Sequence, residues 1–115
     1  MSPDDAALVL DMWLAARRAQ AYVSDVSRAE FERNLMLQDA VAHQIQMIGE
    51  AASQISTEFQ QSHADIPWRQ IIGMRHRLVH DYNKIDVQRV WEAARGSVPQ
   101  LIGAVEPLVP PDEED

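Results

Sequence analysis

From Leu37 through Val41, Ile45, Ile48, Ala52, Ile55 and Phe59, apolar residues recur at steps of three and four, the period of one buried face of an α-helix. This run predicts a single amphipathic helix of about 25 residues with Asn34 available as its cap, and it limits the fold to those that wrap other elements around a long central rod. The flanking segments carry the same period. Ser2-Pro3-Asp4-Asp5 has the features of a helix start, with Ser2 as cap, proline in the first turn and acids at the positive dipole end. Val9, Met12, Trp13, Ala16 and Val23 then extend that helix to Val23. Ser27-Arg28-Ala29-Glu30 is a capping box opening a short helix with Phe31.

After the polar Gln61–Asp65 segment, Ile66-Pro67-Trp68 starts another helix, whose buried side is predicted from Trp68, Ile71, Ile72, Leu78 and Val79. Tyr82-Asn83-Lys84-Ile85 is expected to be a tight connection and Asp86 the cap of a final helix. That helix carries Val87, Val90, Trp91, Ala94, Val98, Leu101 and Ile102 inward and is expected to kink at Pro99. No strand pattern emerges. The fold class is therefore all-α: an up-and-down bundle of four to five helices over residues 1–108, followed by an acidic tail over residues 109–115.

Composition narrows function. The chain of 115 residues has no cysteine, so neither disulfides nor thiolate metal sites are available. No apolar run approaches the roughly 20 residues that span a bilayer, so no membrane partner is expected and the chain is read as cytoplasmic. The formal net charge is −8, which argues against indiscriminate coating of nucleic acid. Charge is unevenly distributed, however. Arg69, Arg75, Arg77, Lys84 and Arg89 face only Asp81 and Asp86 within residues 69–89, leaving five basic and sixteen acidic residues elsewhere. Such asymmetry points to a local anion site.

Within that basic stretch Arg75, His80 and Tyr82 form the pattern R-x4-H-x-Y. A guanidinium is a permanently charged fork suited to phosphate, and an imidazole can give and take a proton near neutral pH. Together they can cleave a phosphodiester without a metal. Residues five apart on a helix point about 140° from each other, so convergence requires the helix to end before His80 or a second chain to supply one group. Each residue also has a purely structural reading: Arg75 as ion-pair partner of Glu50 or Asp39, and Tyr82 as a packed ring with a bonded hydroxyl. His76 and His80 have zinc-compatible spacing, but Arg75 and Arg77 would repel a cation and no third ligand is apparent, so no metal and no cofactor is expected. His43 and His63 read as surface residues, and the tryptophans as packing anchors.

Several blocks in order, Ile48-Gly49-Glu50-Ala51-Ala52, Ile66-Pro67-Trp68-Arg69, Met74-Arg75 through His80-Asp81-Tyr82, Ile85-Asp86 and Val90-Trp91, strongly resemble HepT, the toxin-type HEPN family encoded beside a minimal nucleotidyltransferase. The resemblance covers nearly the whole chain. It implies a helical homodimer with paired R-x4-H motifs at the interface cleft, acting as a metal-independent ribonuclease on RNA. It further implies Arg75 and His80 as catalytic residues and a cognate nucleotidyltransferase antitoxin that silences the toxin by moving AMP onto Tyr82. His76 stands where many relatives carry asparagine, and His76, Arg77, Asp39 and Glu50 are expected as supporting or RNA-contacting groups. The alternative is a non-catalytic dimeric interaction or nucleotide-binding module that partners the transferase.

Overall fold

The computed structural model describes residues 1–79 and 84–111 of the chain. Helix α1, Pro3–Val23, begins as its sequence dictates: the Ser2 hydroxyl accepts the Asp5 amide at 3.0 Å, with Pro3 in the first turn. Val9, Met12, Ala16, Ala19 and Val23 form its buried stripe, and the small Ala15, Ala16 and Ala19 leave room for a neighbouring helix. Trp13 lies at the margin of the core under the Arg17 guanidinium, 5.2 Å from the ring centre.

Helix α2, Arg28–Glu32, opens on the expected Ser27 cap, and its Phe31 ring is buried 5.2 Å from Trp91. Helix α3, Leu35–Gln54, is capped by Asn34, whose side chain accepts the Leu37 amide. The buried Gln38 side chain reaches back from α3 to donate to the Phe31 and Glu32 carbonyls, satisfying acceptors that the end of α2 leaves open. Val41, Ile45, Ile48 and Ala52 are its fully buried stripe, as the periodicity requires.

The long helix is shorter than its periodicity predicts. It has 20 residues, and the pattern continues through Ile55 and Phe59 only because a separate short helix, α4 at Thr57–Ser62, carries it on. The break lies at Ile55, whose backbone is extended, and at Ser56, whose hydroxyl accepts the Phe59 amide as a fresh N-cap. Ser56 is held there by Asp5 of α1. One carboxylate oxygen accepts its amide at 2.8 Å and the other its hydroxyl at 2.7 Å. The Ser56 backbone N–H, then its hydroxyl, hold the buried Asp5 carboxyl below the usual carboxylate range, outweighing the opposing effect of burial.

Helix α5, Trp68–Arg77, follows Pro67 and buries Trp68, Ile71 and Met74, with Leu78 buried just beyond it. The Trp68 indole N–H donates to the His63 carbonyl at 3.0 Å. Val79 and Ile85 then form a single antiparallel bridge, and the Asp86 amide donates to the Leu78 carbonyl at 2.7 Å. Both ends of the connection are thus pinned. The expected turn at Tyr82 and Asn83 lies outside the described residues, as does the end of the expected tail, Asp112–Asp115.

The last rod begins at Asp86, whose side chain accepts the Arg89 amide. It comprises α6 at Val87–Glu92, a π-helical turn at Ala93–Ser97 and α7 at Val98–Val105, followed by a 3-10 turn at Glu106–Leu108. Pro99 therefore acts by widening the helix ahead of it where a plain kink was expected. It has no N–H for the Arg95 carbonyl and its ring would crowd that oxygen, and the wider π turn relieves the crowding. The Arg95 guanidinium donates to the Val23 carbonyl at 3.3 Å and lies over the Trp91 ring at 5.3 Å, supplying a cation to an α1 end that has none of its own. Helix α3 packs on α1 and α5, and α1 packs on α7. The result is the expected all-α bundle: four main rods around one apolar core, with α2 and α4 as short links.

Candidate functional site: the Arg75 groove between α3 and α5

Helix α5 meets α3 at Gly49. A Cβ built there would lie 3.2 Å from the Arg75 Cβ and 3.3 Å from the Ile72 carbonyl, so the absent side chain sets how closely the two helices approach. One residue on, the Glu50 carboxylate accepts from an Arg75 terminal nitrogen. The Arg75 Nε–H donates to His76 Nε2 at 3.3 Å. The guanidinium is thus held from two sides while 28% of its side chain stays accessible. Because the Glu50 side chain is 54% exposed, the pair contributes only about 0–1 kcal/mol to stability, and its main effect is to orient Arg75.

Arg75, His76 and Arg77 occupy the last turn of α5, where the partial negative charge of the helix end favours cations. The helix ends at Arg77, with Leu78 as its cap. That meets, on the arginine side, the requirement that the helix stop before His80 if the two groups are to converge. His80 and Tyr82 themselves lie outside the described residues.

The expected supporting residues separate. Glu50 and His76 are at Arg75. Asp39 is exposed, with no ion pair among the described residues, and sits eleven positions before Glu50 on α3, about 16 Å along the axis. It does not partner Arg75. Arg77 turns to another side of α5, folding over Gly73 so that its guanidinium donates to the Gln70 carbonyl at 3.0 Å, and it lines a separate groove against α7 with Met74 and Leu101. The His63 ring lies tilted against Phe59, with centroids 4.5 Å apart. Among the described residues no group of three or more His, Asp or Glu could hold a metal, and the His76/His80 spacing includes a residue outside that set.

Arg75 and His76 form one wall of a shallow open groove of about 410 Å³ whose other wall is α3, with His43, Gln46, Met47 and Glu50. His43, expected only as a surface residue, and Met47 thus share a groove with Arg75. A signal was present: His43, Met47, Glu50 and Gln54 step by four, three and four along α3, a second stripe beside the apolar one. A further groove between α1 and α3 shares His43, Met47 and Glu50 and adds the exposed Leu14.

Arg75 therefore sits at the head of an R-x4-H pattern, on a helix end, in an open groove of an all-α bundle. The chain belongs to the HepT-like ribonuclease family, whose description, Ribonuclease HepT-like, matches residues 12–108. It is 30% identical over 103 residues to a Methanocaldococcus jannaschii protein named as a candidate RNase, covering 90% of this chain and 94% of that one. It is 32% identical over 106 residues to a Thermococcus cleftensis protein named as a candidate ribonuclease of the HepT type, covering 80% and 96%. A third relative, from Caldanaerobacter subterraneus subsp. tengcongensis and also named as a candidate RNase, is 32% identical over 79 residues, covering 69% of this chain and 70% of its own. No solved structure matches the chain significantly. Among the described residues no helix is long and apolar enough to cross a membrane.

Proposed function

We propose that this chain is the toxin of a cytoplasmic toxin-antitoxin pair, a homodimeric ribonuclease that cleaves RNA without a metal through Arg75 and His80. The observation that carries the proposal is the setting of Arg75: Gly49 brings it against α3, Glu50 and His76 fix its orientation, and its side chain stays partly accessible where it lines the groove. In the reaction the ribose 2′-oxygen attacks the adjacent phosphorus while its proton passes to a base. The P–O5′ bond breaks, and the departing 5′-oxygen takes up a proton. His80, from one or both protomers, performs proton transfer, and Arg75 offsets the charge building on the phosphorane oxygens. The products are a 2′,3′-cyclic phosphate and a 5′-hydroxyl.

A cognate nucleotidyltransferase antitoxin silences the enzyme by transferring AMP from ATP to the Tyr82 oxygen, with release of pyrophosphate. The exposed Leu14 on α1, in the adjoining groove between α1 and α3, suits contact with a second protomer. Expression of the chain alone should arrest growth. Arg75→Ala and His80→Ala, still folded, should abolish the arrest, and co-expression with the transferase should add a mass of AMP at Tyr82. Arrest that persists in both variants would remove the nuclease reading.

A second reading is a non-catalytic interaction or nucleotide-binding module, favoured by the net charge of −8 and by Glu50 occupying part of the Arg75 guanidinium. It differs in one outcome: the wild-type chain would leave RNA intact.

A further inference from the structure

We infer that His43, Gln46 and Met47 form a base-binding subsite on the α3 wall of the Arg75 groove, which takes one unstacked nucleotide of single-stranded RNA beside the cleaved bond. The inference rests on the ribonuclease reading of Arg75 and adds to it what the opposite wall does.

Its basis is the company these side chains keep. They line the same groove as Arg75 and His76, so a phosphate held by the guanidinium carries its sugar and base toward α3. Met47 is 45% exposed there, an apolar side chain among charged and polar ones. Its thioether is soft and adaptable, suited to lie against a base of any shape. His43 is exposed and has no hydrogen bond among the described residues, which leaves its ring free to stack. Gln46 carries an amide with both donor and acceptor, the combination that reads the edge of a base.

The electrostatics favour the same occupant. Glu50, the one acid lining this groove among the described residues, is already engaged by Arg75. Elsewhere the chain is strongly acidic, so binding cannot draw on a long track of phosphate contacts and must come from stacking and hydrogen bonds at short range. Sequence-selective RNA recognition works in this way, on single strands whose bases are splayed out.

The test uses the full chain with a randomised single-stranded RNA pool in EDTA, sequencing the cut sites of the wild type, Gln46→Ala, Met47→Ala, His43→Ala and, as a control, Arg75→Ala. The wild type should show a base preference at a position next to the cut, and Gln46→Ala should flatten it. Met47→Ala and His43→Ala should raise KM about 5- to 10-fold on a short defined RNA, the size of one lost stacking contact, with kcat within about twofold. The subsite is overturned if base preference and KM are unchanged in all three variants. It is equally overturned if the Met47→Ala defect accompanies dissociation of the dimer in light scattering, since Met47 would then be an interface residue. Undiminished cleavage by Arg75→Ala would instead remove the ribonuclease reading itself, a separate result.

Discussion

The Arg75 Cβ stands 3.2 Å from the place where a side chain on Gly49 would begin. The arginine at the head of the motif is therefore positioned by the absence of a side chain on the neighbouring helix, and the Ile72 carbonyl at 3.3 Å makes the fit a backbone matter. Position 49 has to remain small for Arg75 to hold its place against Glu50.

Gly49→Ala separates these effects. The added methyl gains about 1 kcal/mol of helix propensity but pushes α5 away by a few tenths of an ångström, at a cost of about 1–3 kcal/mol. The net cost of about 0–2 kcal/mol should lower the melting temperature by at most about 10 °C, whereas RNA cleavage should fall by roughly 10- to 100-fold as the guanidinium shifts. A thermal melt and a cleavage assay on one preparation check both.

Glu50→Ala should show the same split by another route. The exposed ion pair contributes at most about 1 kcal/mol, so stability should be nearly unchanged, while Arg75 loses the contact that aims it. We expect kcat to fall about two- to fivefold, the most that a contact of about 1 kcal/mol can bias the orientation of the guanidinium, with Glu50→Gln recovering part of the loss by accepting the same hydrogen bond. Steady-state kinetics for the three proteins decide it.

Asp5 gives the fold an acid-sensitive clasp. Its carboxyl is held lower in the folded chain than in the unfolded one, so the unfolded state binds a proton first as pH falls. The stabilisation is fully present above the unfolded value of about 3.9 and is lost as pH falls through the lower folded value. Asp5→Asn should therefore be less stable than the wild type at pH 7, and the gap should narrow below pH about 4. Urea unfolding across that range provides the measurement.

Arg95→Ala tests the join between the π turn and α1. It removes a bond to the Val23 carbonyl and a cation from the Trp91 face, and should destabilise the chain by about 1–2 kcal/mol without changing cleavage.

Much of the fold was legible because local rules and burial agree: Ser2, Ser27, Asn34 and Asp86 each cap a helix, and Val41, Ile45, Ile48 and Ala52 are buried as spaced. The break after Gln54 was not, since the apolar period runs unbroken across it. What ends the helix is Asp5, 51 residues away from Ser56, and no local window contains that contact. The π turn was hidden for a related reason, because proline signals trouble in a helix but not which accommodation the surroundings permit. Glu50 was one of two acids named as a partner for Arg75, but choosing Glu50 over Asp39 required knowing where α5 lands on α3. That His43 and Met47 share a groove with Arg75 was not read from the sequence, because their spacing along α3 does not say where α5 lies against it.

The central claim is that Arg75 serves phosphodiester cleavage without a divalent ion. Its most direct test is the rate at which the purified chain and its Arg75→Ala variant cut single-stranded RNA in EDTA, with product ends identified by mass. We expect 2′,3′-cyclic phosphate ends from the wild type and a rate lower by about 10²–10³-fold in the variant. Equal rates for the two proteins, or cutting that stops in EDTA and returns only with a divalent ion, would contradict it.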